Sequence, residues 1–167
     1  LREGSRAIIM DASKDTAVII CSKGDVAMPT ETMPLTPAGK VLQIGREIGW
    51  VGFPWIAPDN LCFFSGRISA WIPDANAYLV DGVAINGVSG GPAVYPTGKE
   101  HLIVGVVSAY VPNRQVDSSL PGLSMVTDVS HLRSVVNEMN TVEEARESQT
   151  PSASVRDKRD DSNESVT

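Results

Sequence analysis

Short apolar runs, each closed by glycine, proline or a polar turn, recur along the chain as far as Val126. Such punctuation, drawn from 14 glycines and 11 prolines, breaks helices before they lengthen and suits many short strands. The runs predict strands at 7–10, 16–21, 41–44, 47–52, 61–64, 67–71, 77–80, 93–95, 102–110 and 123–126. Turns every ~8–12 residues point to a barrel or a sandwich. Residues 24–40 hold three prolines and two glycines with little periodicity and read as a connector. One stretch has helical spacing: Leu132, Val135, Val136 and Met139 recur at i, i+3, i+4 and i+7, with Ser130 placed to cap the helix.

Composition narrows the function classes. A net charge of −6 and a pI near 4.8 argue against nucleic acid as a partner, since phosphate binding needs clustered Lys and Arg. No apolar run approaches the ~20 residues of a membrane helix. Cys21 and Cys62 are too few for a disulfide framework or a four-cysteine zinc site, and His101 and His131 add little. No metal or organic cofactor is expected. From Thr141 to Thr167 acids, bases, Ser and Thr dominate and no Gly or aromatic occurs, so 141–167 reads as a disordered acidic tail.

Gly87-Val88-Ser89-Gly90-Gly91-Pro92 carries the most chemistry. Glycines let the backbone turn tightly or approach another group closely, leaving a lone serine hydroxyl among free N–H groups. Acyl transfer uses that combination: a nucleophile, with donors aimed at the oxyanion. On residues alone a Gly-Ser hairpin turn with no chemistry is the favoured reading. The stretch also satisfies G-x-S-x-G, but Pro92-Ala93-Val94-Tyr95-Pro96 is a poor start for the helix that an α/β-hydrolase elbow requires. A phosphate-binding loop is excluded because no Gly-Lys-Ser/Thr follows.

The loop resembles the G-x-S-G-G-P signature of trypsin-like, chymotrypsin-fold serine proteases. Asp81 to Asn86 leads into it much as in bacterial proteases of the high-temperature-requirement type. Ile103 to Tyr110 resembles the strand after the nucleophile, Pro121 to Val129 the last strand, and Ser130 to Met139 the closing helix. Gly52-Phe53-Pro54 and Ser65 to Ser69 match the first hairpin of the second barrel. The resemblance covers most of 41–140. It implies an all-β protein with a nearly complete second antiparallel barrel over 41–140, a connector at 26–40, a first-barrel remnant at 1–25 and a C-terminal helix.

By the same resemblance Ser89 is the nucleophile, and Asp15, in Asp15-Thr16-Ala17-Val18-Ile19-Ile20, orients the catalytic imidazole. As a residue alone, Asp15 is equally an ordinary turn carboxylate. The resemblance implies that the oxyanion donors are the N–H groups of Gly87 and Ser89 and that the substrate pocket draws on Val83, Ala84, Ser108, Ala109 and Tyr110. Val83 and Ala84 carry no charge, so a small or medium apolar residue is expected before the scissile bond. A substrate strand is expected to pair with Ser108 to Tyr110.

The family's base is a His preceding the Asp, and none occurs before Asp15. His101 and His131 do not match its motif. The chain starts at Leu1 and is expected to be a fragment, nearly inactive alone and with exposed strand edges. Joined to its His, it is expected to be a serine endopeptidase acting on proteins or peptides. The alternative is a non-catalytic trypsin-like binding module. Neither cysteine falls where the family's usual disulfides lie, which points to a bacterial member, intracellular or exported.

Overall fold

The computed structural model describes residues 6–12, 15–21, 27, 29–115 and 118–149. A separate hairpin pairs β1 (Arg6–Asp11) with β2 (Thr16–Cys21). The larger unit contains β3 (Glu47–Gly52), β4 (Cys62–Ile72), β5 (Ala77–Gly82), β6 (Pro92–Pro96), β7 (His101–Gln115) and β8 (Ser118–Asp128). These six antiparallel strands close into a barrel in the order β3-β4-β5-β8-β7-β6, sealed where Gly49 and Trp50 pair with Val94 and Ala93. The helix α1 (Ser130–Gln149) follows. All-β architecture with a closed barrel and a C-terminal helix is thus observed. Among the described residues β1 and β2 pair only with each other, so each keeps an open edge.

Alternation of side chains along the strands fills the barrel. Ile48 and Trp50 of β3, Tyr78 and Val80 of β5, Val104 of β7 and Val126 of β8 are fully buried there. Trp50 stacks on Phe64 with ring centroids 6.5 Å apart. Trp71 tilts against Tyr78 at 4.8 Å.

Four local expectations change. Residues 61–64 and 67–71 form one strand, because Gly66 is no turn: a Cβ there would strike the Asp81 carbonyl of the neighbouring strand. Residues 41–44 make no strand. The buried Leu42 is held instead by its N–H, which donates to the Tyr78 hydroxyl at 3.2 Å. Asp128, not Ser130, makes the capping bond of α1, its carboxylate accepting the Ser130 N–H at 2.8 Å. Ser130 Oγ accepts from Asn76. Lastly, α1 runs on to Gln149, since Glu, Ala, Arg and Gln in 143–149 are strong helix formers. The remainder of the expected tail, 150–167, lies outside the described residues.

The connector is tied to the barrel. Ile103 donates to the Pro34 carbonyl at 2.8 Å, and Thr36 donates back to Ile103 at 2.9 Å. This segment takes the edge of β7 that β8 leaves open, since their pairing starts only at Gly105 and Asp128. Arg133 of α1 donates to the Thr36 carbonyl and pins helix, connector and barrel together.

Tyr78 links these parts, accepting from Leu42 and lying within the influence of the Asp128 carboxylate. Burial raises its hydroxyl above the ordinary value; the Leu42 N–H opposes this and the Asp128 charge adds to it. The folded chain therefore holds this proton more tightly than the unfolded chain. Its stabilising effect is complete below about pH 10 and is lost as pH rises from there through the folded value. Tyr78→Phe is expected to cost about 1 kcal/mol at neutral pH, as a buried N–H loses its acceptor, and to flatten the alkaline fall. Thermal unfolding of both proteins from about pH 8 to 11 reads both effects.

Candidate active site

The serine loop is held from three sides. The Val88 N–H donates to the Ile85 carbonyl at 3.1 Å, closing a turn with Gly87 at φ +95°. Only glycine suits this place: the conformation is left-handed, and a Cβ would collide with the Phe53 carbonyl. Val88 is fully buried and anchors the loop in the core. Ser89, next along, is exposed. Gly90, also left-handed at φ +89°, donates to the Val107 carbonyl at 2.7 Å. Gly91 donates to Val88 at 3.0 Å and accepts from Val107 at 2.9 Å. A buried valine beside an exposed serine, clamped by two glycines, fixes where the hydroxyl stands.

Three loop amides are thus spent on carbonyls. Those of Gly87 and Ser89 find no acceptor among the described residues. These are the two amides expected to face an oxyanion.

Asp15 stands at the start of β2 with φ +49°, a left-handed conformation that Asp and Asn adopt more readily than most side chains. It is exposed and lines a cleft of about 540 Å³ between the hairpin and the barrel. Ser89 lines the same cleft, with Val18, Val107, Ser108 and Leu132 among the other walls. Two residues far apart in sequence therefore share one cavity, with a carboxylate on the hairpin side and a hydroxyl on the barrel side.

The expected substrate pocket is gathered only in part. Ser108 lines the cleft, whereas Val83, Ala84 and Ala109 do not. Val83 is 56% exposed just past β5, and Ala84 is buried. For Tyr110 the backbone lies in β7 and the side chain is outside the described residues. Ser108 sits at a bulge, where the β7–β8 register shifts between Val107 and Ala109. No residue-level signal in the sequence marks that bulge. On its other side β7 pairs with β6 only as far as Val106. From Ser108 onward this edge carries no strand among the described residues.

Neither histidine lines the cleft. His131 lies near Asn76 Nδ2 at 3.4 Å and borders a separate cavity of about 320 Å³ under the hairpin. His101 opens β7 and borders an apolar groove beside Phe63 and Glu47. Leu132, half-buried on α1, is a cleft wall that the sequence reading assigned only to helix packing. Cys62 is a free, half-buried thiol, and the Cys21 side chain is outside the described residues. Among the described residues no group of three His, Cys, Asp or Glu could hold a metal ion, and no helix is long and apolar enough to cross a membrane. Comparison with protein-family models and with curated proteins finds no match for the chain.

Proposed function

We propose that this chain carries the nucleophile and the orienting carboxylate of a serine endopeptidase of the trypsin-like kind. A single observation carries the reading: Asp15 and Ser89 line one cleft, where the Gly87 and Ser89 amides find no acceptor among the described residues. Ser89 Oγ attacks the carbonyl carbon of a peptide bond, and the oxyanion that forms is met by the N–H groups of Gly87 and Ser89. An imidazole takes the Ser89 proton and returns it to the departing amine, leaving an acyl-enzyme that water then hydrolyses. Asp15 accepts the other ring N–H, fixing the tautomer and stabilising the imidazolium.

Neither histidine borders the cleft, so this reading requires an imidazole that the described residues do not supply there. The acyl half of the substrate lies along the open edge of β7 at Ser108 to Tyr110, adding a strand. Val83 and Ala84 do not line the cleft of Ser89, but by resemblance they fall at the pocket floor. As neither is charged, the reading takes an apolar, small to medium residue before the scissile bond.

The test is peptide hydrolysis by the protein that includes the imidazole-bearing segment. Cleavage is expected after Ala, Val or Leu, and Ser89→Ala is expected to abolish it. Preferred cleavage after Arg or Lys would overturn the pocket assignment. Hydrolysis that survives Ser89→Ala would overturn the mechanism. Specific peptide binding with no hydrolysis would instead mark a binding module built on the same barrel.

A further inference from the structure

Eight of the nine aromatic side chains lie among the described residues, and the strongly exposed ones are confined to one segment. Phe53 is 53% exposed, Trp55 79% and Phe63 70%. Ile56, at 85%, and Leu61 stand out beside them. Large apolar side chains held in water are costly, and several of them within a few residues mark a contact surface. Phe63 itself lies over Gly49 and borders the His101 groove, which leaves Phe53, Trp55 and Ile56 as the turn's own exposed set.

The backbone beneath them is fixed. Pro54 is fully buried. Trp55 N–H donates to the Asn86 carbonyl at 2.8 Å, and Ala57 N–H to the Pro54 carbonyl at 2.8 Å. The Phe53 carbonyl abuts Gly87, whose amide finds no acceptor among the described residues. Besides β3, whose Val51 and Gly52 lie against Gly91 and Val88, the serine loop adjoins two further elements. Gly90 and Gly91 join it to β7 by hydrogen bonds, Asn86 accepts from Trp55 of the Phe53–Ile56 turn, and Gly87 adjoins the Phe53 carbonyl. A peptide whose acyl half lay on β7 from Ser108 onward, with its carbonyl at the Gly87 and Ser89 amides, would leave the site beside Gly87, which adjoins the Phe53 carbonyl of that turn. Across residues 53–61 the one charged side chain is Asp59, so the surface suits apolar groups and disfavours acidic ones.

We infer that Phe53, Trp55 and Ile56 form the docking surface for the leaving-group half of the substrate and select apolar residues there. This rests on the endopeptidase reading of Ser89. Rigid aromatic anchors lose little conformational entropy on contact, which makes such a turn an effective selector.

The experiment uses the 167-residue chain and three peptides with the same acyl half. After the scissile bond they carry Leu-Phe, Ser-Ser or Asp-Asp. Binding is followed by the emission of Trp55, with Trp55→Phe identifying its share of the signal. The Leu-Phe peptide is expected to bind about fivefold more tightly than the Ser-Ser peptide and to shift Trp55 emission to the blue, with the Asp-Asp peptide weakest. Ile56→Ser, at a position so exposed that the fold is indifferent to it, is expected to level the Leu-Phe and Ser-Ser affinities. Equal affinities in the parent chain overturn the inference. So does a blue shift produced by phosphatidylcholine vesicles but by no peptide, which would make the turn a lipid-contacting surface. A fluorophosphonate adduct at Ser89, measured alongside, separates the two levels. Its presence with equal affinities removes only the docking surface, whereas its absence, in the protein that includes the imidazole-bearing segment, removes the catalytic reading as well.

Discussion

Asp15→Asn, in the protein that includes the imidazole, is expected to lower kcat by about 10⁴-fold while leaving the melting temperature nearly unchanged. Asparagine is almost the same size and accepts the left-handed conformation found at φ +49°, so the turn into β2 is spared. What changes is the acceptor. A carboxylate holds the imidazole N–H and steadies the positive ring, whereas an amide permits the wrong tautomer and carries no charge. The loss should fall on kcat rather than KM, because Asp15 lies on the far side of the cleft from the edge of β7. Steady-state kinetics with one apolar peptide measures it. An unchanged kcat would reduce Asp15 to a turn residue, the simpler reading that its sequence context always allowed.

The second large effect is structural. Gly91→Ala is expected to destabilise the chain by roughly 3 kcal/mol, lowering its melting temperature by about 10 °C. The new methyl would run into the Val51 carbonyl and lie 2.9 Å from that of Val88. Both obstacles are backbone, so no side-chain rotation relieves them. The same displacement would break the Gly91–Val107 hydrogen bond that holds the serine loop against β7. Any variant that folds should therefore also lose the placement of Ser89. Circular dichroism melts read the stability. A melt within about 2 °C of the parent would show that the loop relaxes freely, contrary to its clamped geometry.

How far the sequence revealed this architecture depends on whether each signal was local. Strand alternation is local, and Ile48-Gly49-Trp50 or Tyr78-Leu79-Val80 state their own inward faces. The exposure of Ser89 was legible too, because glycines on both sides leave few other conformations. Gly66 misled for a non-local reason: whether glycine makes a turn or admits a neighbour depends on the Asp81 carbonyl of another strand. The run at 41–44 has strand composition, yet the Tyr78 hydroxyl, 36 residues on, claims its Leu42 amide before any ladder can. Asp128 caps α1 from inside a strand, a place where the periodicity of the helix gives no warning. The meeting of Asp15 with Ser89 is the least local of these. Nothing within either motif specifies it. It follows from where the hairpin lies against the barrel and α1.

The central claim is that Ser89 is a nucleophile activated in the cleft it shares with Asp15. Its most direct test is reaction of the imidazole-bearing protein with a fluorophosphonate, followed by mass spectrometry of the adduct. A single adduct on Ser89, formed faster as pH rises through the imidazole range and slowed by Asp15→Asn, is the expected result. A protein that takes up no label, or takes it up equally at its other serines, would contradict the claim.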